Sequence, residues 1–205
     1  MLKYTLALVA LLGLSMVPLA RAAEVPGPDL KFVNNAVRDG EVEVALGKLA
    51  AEKASSEEVK KLGQQMADDH SKANEELKSL AESKKIDLTR AQAGATKRSE
   101  GMSQKLRKLE GEEFDKGYVA IMVKEHEKDV KAFEKESKDG EDAEIKAFAA
   151  KTLPTLQHHL EMVKEVQKKV GGGAASSDDA GKPKLGPTDG EAKKSPGESD
   201  GGKKD

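Results

Sequence analysis

Apolar residues recur every three or four positions from residue 29 to residue 170, and no stretch alternates apolar and polar residues as a strand would. This period places the apolar side chains of each segment on one face of a helix. Four long helices and one lesser helix are predicted, at about 29–53, 55–83, 112–138 and 141–170, and at about 89–110. Because the lesser helix has only a thin apolar face, we expect it to connect the long helices across their bundle.

The connection between the second and third long helices, residues 84–111, is unusually long. A four-helix bundle with one crossover connection is the ferritin-like arrangement. The alternative is an up-down-up-down bundle, in which residues 85–111 would fold back as a loop. We therefore predict an all-α domain at residues 29–170, a ferritin-like four-helix bundle with a helical crossover between its second and third long helices.

Local signals predict where these helices begin and where the last one is interrupted. Asp29 is a plausible N-cap, Ser55 with Glu58 forms a capping box, and Thr89 offers a second capping signal. Pro154 lies inside the last helix, where it removes a backbone hydrogen bond and is expected to interrupt and bend the helix.

The first 22 residues are predicted to be a signal peptide. Lys3 precedes an apolar run, and Ala20-Arg21-Ala22 fits the cleavage pattern, so we expect cleavage after Ala22. The run is shorter than the roughly 20 residues that span a bilayer, although an uncleaved anchor is the alternative. The mature protein is then expected in the periplasm without stable membrane insertion, and an association with the outer membrane stays open.

A short linker, residues 23–28, and a polar tail, residues 171–205, flank the helical domain. Leu185 is the only large apolar residue of the tail. Such a segment cannot bury enough surface to offset its chain entropy, so we expect it to be disordered.

The charge and the missing cysteines exclude some functions. Without residues 1–22 the chain keeps 33 basic residues (35 − 2) against 37 acidic residues, a net charge of −4, so no nucleic-acid partner is predicted. The chain has no cysteine, so it forms no disulfide and carries no thiol for lipid attachment. Its stability must come from its core, and a homo-oligomer is left open.

The four histidines are the main candidates for chemistry. His70, His126 and His159 each lie on the apolar row of a different long helix, whereas His158 points sideways. The remaining long helix carries Glu43 in the middle of its apolar row. Because polar groups in a core need partners, we expect these inward side chains to meet.

The four inward residues also lie at similar heights along the bundle. At 1.5 Å per residue, their distances from the nearest turns differ by only about 4–8 Å. Three imidazoles and a carboxylate suit a transition metal ion such as zinc, copper or iron. If Glu43 instead accepts a hydrogen bond from an imidazole, one position on the metal stays open for water.

Further residues near the histidines could support such a site. The motif M-x-x-[DE]-H-x-K occurs around both His70 and His126. The weaker candidates are Asp69, Glu125, Met66, Met122 and His158. The acidic pair could orient an imidazole on a neighbouring helix, and a methionine tolerates copper, although methionine more often fills gaps in a core.

Three functions follow from this pattern. The first is a metal-binding protein acting in metal handling or stress protection. The second is a structural or chaperone-like bundle with a buried Glu–His hydrogen-bond network and no metal. The third, an enzyme using metal-bound water, is left open with no catalytic or organic-cofactor residue assigned. Di-iron chemistry is disfavoured because the residues three positions before the inward histidines are Ala67, Val123 and Leu156, not glutamate.

Several segments together resemble a family of exported bacterial proteins. They are FVNNAVRDG, EVALGKLA, GQQMADDHSKAN, GEEFDKGYVAIMVKEHEKDV and FAAKTLPTLQHHLEMV. The family's domain has no assigned function, and its members are often labelled outer membrane proteins. The resemblance covers about residues 29–170 and implies export and a ferritin-like bundle. It also implies that Glu43, His70, His126, Pro154 and His159 occupy characteristic positions, but it supplies no activity.

Overall fold

The computed structural model describes residues 24–172, which form five α-helices and no strand. The helices are α1 (Gly27–Lys53), α2 (Glu57–Ser83), α3 (Thr89–Leu106), α4 (Gly111–Asp139) and α5 (Ala143–Gly171). The all-α prediction is therefore confirmed for this range, with five helices. The predicted signal peptide and the tail beyond Gly172 lie outside the described residues.

A close crossing of two glycines joins α1 to α2. A Cβ atom on Gly47 would lie 2.6 Å from the carbonyl oxygen of Gly63, and one on Gly63 would lie 2.7 Å from the carbonyl oxygen of Gly47. Both distances are too short for carbon against oxygen, so only glycine lets the two backbones approach this closely. The contact fixes the α1–α2 hairpin just beyond its turn.

Substituting Gly47 by alanine is expected to cost about 1–3 kcal/mol of stability, because the new methyl group would push the two helices apart. The matched control is Gly101→Ala on α3, where a Cβ atom would meet no atom within 4 Å. There the better helix propensity of alanine should add about 0.5–1 kcal/mol. Urea unfolding of both variants checks this, and equal effects would contradict the close crossing.

Contacts at both ends of the bundle fix the direction of α4 relative to α1. Near the start of α1, the Asp29 carboxylate accepts hydrogen bonds from the backbone N–H groups of Glu141 and Asp142, at 3.0 and 2.6 Å. Beyond its end, Ser55 donates backbone and side-chain hydrogen bonds to Asp115 near the start of α4. The two helices are therefore antiparallel along their whole length.

The ion pairs between α2 and α5 show the same relation. Lys151 pairs with Glu76, and Lys169 pairs with Glu58, so the start of one helix lies beside the end of the other.

α3 lies against α1, where Ala91 and Ala95 are buried.

The three predicted caps are wrong. Long-range contacts take the polar groups of Asp29 and Ser55, and Thr89 is the first residue of its helix, not its cap. Asp29 lies inside α1 and caps the α4–α5 turn instead. Ser56, not Ser55, caps α2, since Ser55 is bonded to Asp115. Thr89 lies inside α3, and its backbone N–H donates to the Asp87 side chain.

The predicted interruption of the last helix is also wrong, because α5 runs unbroken through Pro154. Phe148 and Ala149 before the proline and Leu156 and His159 after it are all buried. Packing on both sides thus offsets the lost backbone hydrogen bond.

Two apolar clusters fill the interior, one at each end of the bundle. The first contains Leu46, Met66, Tyr118, Met122 and Val163, among others, and the second contains Val33, Leu77, Phe133, Ile145 and Phe148, among others. On each long helix, the residues between the two clusters include a buried polar side chain. A polar layer therefore divides the core.

None of the helices in residues 24–172 combines the length and apolar character required to cross a membrane.

Candidate metal centre

The centre of the polar layer contains one side chain from each long helix. Glu43 on α1, His70 on α2, His126 on α4 and His159 on α5 are all at most 5% exposed. Each lies where the apolar row of its helix passes from one cluster to the other. The structure thus brings together the four inward residues that the sequence singled out.

The three imidazoles surround a common centre. Their ring centroids are 5.3, 5.4 and 5.5 Å apart, and one ring nitrogen from each lies within 4.8 Å of the other two. Nε2 of His70 and Nε2 of His126 are 3.3 Å apart. Two nitrogens bound to one tetrahedral zinc ion at 2.0–2.1 Å would lie about 3.3 Å apart. These three buried histidines could therefore hold a metal ion.

In two of the rings, one nitrogen donates a hydrogen bond to an acceptor. Nδ1 of His126 donates to the carbonyl oxygen of Met122 at 3.0 Å, and Nε2 of His159 donates to the Asp69 carboxylate at 3.2 Å. Nδ1 of His159 is buried, and within residues 24–172 it has no hydrogen-bond partner. An imidazole nitrogen left bare in a core is costly unless a proton donor or a metal ion faces it.

Glu43 lies behind two of the rings. One of its carboxylate oxygens is 3.2 Å from Nδ1 of His70, and the other is 3.3 Å from Nδ1 of His126. These are contact distances, but no group in the described part of the chain directs a hydrogen bond at either oxygen. The carboxylate therefore faces the ring nitrogens that are remote from the 3.3 Å Nε2 pair.

Burial and neighbouring acids favour the protonated form of Glu43. Burial raises the pKa of Glu43 well above its ordinary value, and the charges of Asp129, Glu125 and Asp39 raise it further. The pKa of Asp129 is itself raised to about 7, by burial and then by Asp39. Burial thus favours the protonated form of both carboxyl groups, so the layer can hold a proton where a cation would otherwise be needed.

A group of basic side chains compensates the outer acids of this layer. Arg98 on α3 lies 2.8 Å from Asp39 and 2.6 Å from Glu125. Burial would raise the pKa of Asp39, but hydrogen bonds from Arg38 and Lys128 outweigh it and lower the pKa. Asp39 and Glu125 therefore take up this positive charge, and no lysine or arginine of the described residues pairs with Glu43.

The imidazoles are held in their neutral form. Burial, followed by the charges of the other two histidines, lowers the pKa of His70 well below its ordinary value. Burial and His159 lower the pKa of His126 to about 4, and burial lowers that of His159. A neutral imidazole is the form that binds a metal ion, so the site is ready for one at neutral pH.

Substituting His126 by glutamine should expose this shift in the pH dependence of stability. As the pH falls from 6.5 to about 4, His126 takes up a proton in the unfolded chain but not in the native one. The free energy of unfolding of the wild type should therefore fall relative to the variant, by about 2–3 kcal/mol. Urea unfolding of both metal-free proteins between pH 7 and pH 4 measures this, and a pH-independent difference would contradict it.

A small cavity adjoins the histidines on the side of α2 and α5. Its volume is about 30 Å³, enough for one or two water molecules. Glu43, His70 and His159 line its inner side, and the exposed Thr155 lines its outer side. The exposed Thr155 shows that the cavity lies close to the surface of α5.

The weaker candidates fall in different places. Asp69 contacts His159 on the neighbouring helix, whereas Glu125 faces Arg98 and not an imidazole. Met66 and Met122 are buried in the apolar cluster, although the Met122 backbone holds His126. His158 is exposed at the surface.

Two buried acids of the layer were missed by the sequence reasoning. Asp39 precedes Glu43 by four residues, and Asp129 follows His126 by three, so each shares a helical face with a predicted site residue. This helical spacing to a predicted site residue is the sequence signal for the two acids, but on most helices acidic residues at such a spacing only contact solvent. Tyr118 lies in the first apolar cluster, and its buried hydroxyl has no hydrogen-bond partner within residues 24–172.

Residues 24–172 thus form an all-helical domain with a buried cluster of three histidines. The chain belongs to the family described as a domain of unknown function, DUF4142, whose family model matches residues 15–166. This confirms the resemblance to a domain of unknown function. No curated protein and no solved structure is found to match the chain.

Proposed function

We propose that the protein binds one transition metal ion between His70, His126 and His159. The observation that carries this proposal is the 3.3 Å separation of Nε2 of His70 and Nε2 of His126. In His70 and in His126, Nδ1 faces an acceptor, which attracts the proton to Nδ1 and leaves a lone pair on Nε2. Two lone pairs at this distance repel each other unless a cation lies between them.

A second candidate is the same layer without metal, and the raised pKa of Glu43 favours it. A protonated Glu43 could donate to Nδ1 of His70, whose Nε2–H would then donate to Nε2 of His126. This network satisfies two rings but leaves Nδ1 of His159 without a donor in residues 24–172. A metal ion satisfies all three rings, and its entry would displace the protons of the network.

In this proposal Glu43 lies on the side of the rings remote from the metal and does not bind it. It would accept the Nδ1–H group of His70, so the metal keeps a fourth position for water or a small ligand. The adjoining cavity supplies the space for that group. Imidazole ligands suit zinc, copper or iron, and a role in metal handling or stress protection follows. An enzyme would use the same open position.

We further propose that the metal-binding domain is a ferritin-like bundle in the periplasm. α1 is antiparallel to α4, and α2 is antiparallel to α5, while α3 connects the two halves. These relations support a bundle with one crossover. The predicted signal peptide, residues 1–22, supports export.

The metal content of the purified, tag-free mature protein tests the metal proposal. We expect one equivalent of metal, or one equivalent taken up by the metal-free protein, with release of protons that shows as a buffer-dependent heat of binding. The variant His70→Ala/His126→Ala should lose this binding. Substoichiometric metal that is unchanged in that variant would contradict the proposal.

The network candidate predicts a different pair of results. A chelator should then leave the melting temperature unchanged, and pH should change it through the buried Glu–His set. In the metal-binding protein the chelator lowers the melting temperature, because bound metal stabilises only the folded state.

A further inference from the structure

A second concave surface lies between the first half of α1 and the last half of α4. It is a groove of about 700 Å³. Six acidic residues line it, namely Asp29, Asp39, Asp129, Glu136, Asp139 and Glu141, together with three lysines, Lys31, Lys128 and Lys135. Its acidic excess makes it attractive to cations.

Glu136 is a buried acid of this groove that forms no ion pair within residues 24–172. Its side chain is only 7% exposed, and Oε1 has no hydrogen-bond partner in that range. Lys128 and Lys135, which could neutralise it, pair instead with Asp39 and Asp139. A buried carboxylate without a partner is costly and needs a cation or a proton.

The surroundings of Glu136 add to the negative potential. Burial, followed by the nearby charge of Asp29, raises the pKa of Glu136 to about 7. Glu136 lies in the last turn of α4, where the exposed carbonyl groups carry the negative end of the helix dipole. Above pH 7 the charged carboxylate therefore attracts a cation strongly.

The groove and the cavity at the histidines share part of their lining. Ala36, Asp129 and Phe133 line both spaces. Asp129 therefore stands between Glu136 and Glu43. It lies seven residues before Glu136 on α4, about 10 Å along the helix axis. An ion bound at Glu136 is therefore separated from the polar layer only by the region around Asp129.

We infer that this groove is an outer binding site for a hydrated divalent cation, which Glu136 captures and which then passes Asp129 to reach the histidines. The inference rests on the proposed metal-binding function and adds the route by which the ion arrives. In the described residues, the only group of three ligand atoms close enough to form a metal cage is the histidine set. The outer ion therefore keeps most of its water and is held by few carboxylates.

The surface beside Thr155, where the small cavity comes close to solvent, is less suited to cations. Asp69 is the only acidic residue on the outer side of that cavity, and it is engaged by His159 and by Lys72. The groove on the α1–α4 side offers more uncompensated negative charge. The more negative electrostatic potential therefore attracts a cation to the groove.

Rapid mixing of the metal-free protein with Co²⁺ at pH 8 tests the route. We expect Glu136→Gln to slow Co²⁺ uptake about threefold to tenfold at low ionic strength, and to reduce its salt dependence, while the affinity of the histidine site changes less than about twofold. The matched control is Glu134→Gln, which removes the same charge two residues away and does not line the groove. An unchanged rate for Glu136→Gln, or an equal loss for the control, would overturn the route.

A second measurement tests the outer site independently of metal binding at the histidines. Mn²⁺ is added to the wild type in the presence of one equivalent of Zn²⁺, and line broadening is followed by NMR. We expect broadening of the amide signals of Phe133 and Gly140, and its loss in Glu136→Gln. Signals that stay sharp in the wild type would overturn the outer site. A protein that shows this broadening but takes up no Co²⁺ at the histidines would overturn the proposed function and the delivery step.

Discussion

Substituting His159 by alanine should weaken metal binding at least about 100-fold, whereas substituting His158 should leave the affinity unchanged. His159 is 1% exposed and faces His70 and His126 across the polar layer. With His159 removed, only two imidazoles remain near the metal. The adjacent His158 is exposed and points away from the layer, so its removal costs no ligand.

These two variants form a matched pair, because they differ by one position on the same helix and remove the same side chain. Isothermal titration of each metal-free protein with Zn²⁺ measures the affinities. Equal losses would mean that binding occurs at surface histidines. Unchanged affinity in both would place the metal elsewhere in the chain.

Substituting Glu43 by glutamine should change stability and affinity in opposite directions. The metal-free protein should become more stable, because the variant removes a buried carboxylate to which no group of the described chain directs a hydrogen bond. Metal affinity should fall about 10–100-fold, because the neutral amide is a poorer acceptor for the imidazole N–H groups. A residue with only a packing role would not produce this pair of effects.

The gain in stability has a defined pH dependence. Because the pKa of Glu43 is raised on folding, the native carboxyl keeps a proton that the unfolded chain releases. This makes the wild type lose stability as the pH rises above about 4.5. The advantage of Glu43→Gln should therefore grow over that range. Melting temperatures measured with a chelator at pH 5 and pH 8 check the sign, and a larger advantage at pH 5 would contradict it.

The helical period of the sequence is enough to place the inward residues. His70, His126 and Glu43 could be selected because each interrupts an apolar row that must face the core. The orientation of each ring could not be predicted, since it depends on partners from other helices, such as Asp69 for His159. Sequence spacing gives the face of a helix, but it does not give the rotamer or the ring nitrogen that faces inward.

The capping predictions failed for a related physical reason. Asp29 carries a good local signal, but the Glu141 and Asp142 backbone groups that it satisfies are 112 and 113 residues away in the chain. Likewise Ser55 is taken by Asp115. At these positions a long-range hydrogen bond, made only in the folded bundle, replaces the local one that the sequence suggests.

The acids around the layer were the hardest to predict. Asp39 and Asp129 look like ordinary flanking residues, because nothing local shows that α3 will cover that side of the bundle. Once Arg98 on α3 reaches Asp39, burial of the acids costs less free energy. Prediction of this group would have required the packing of the crossover helix.

The polar layer that divides the core also fixes how the four long helices align with one another. If one helix slid by a single turn, about 5.4 Å, its imidazole or carboxylate would enter one of the two apolar clusters, and an apolar side chain would enter the layer. Each long helix carries one such polar residue at the centre of the layer, namely Glu43, His70, His126 or His159. The bundle therefore has a single favourable register, which the layer specifies whether protons or a metal ion fill it.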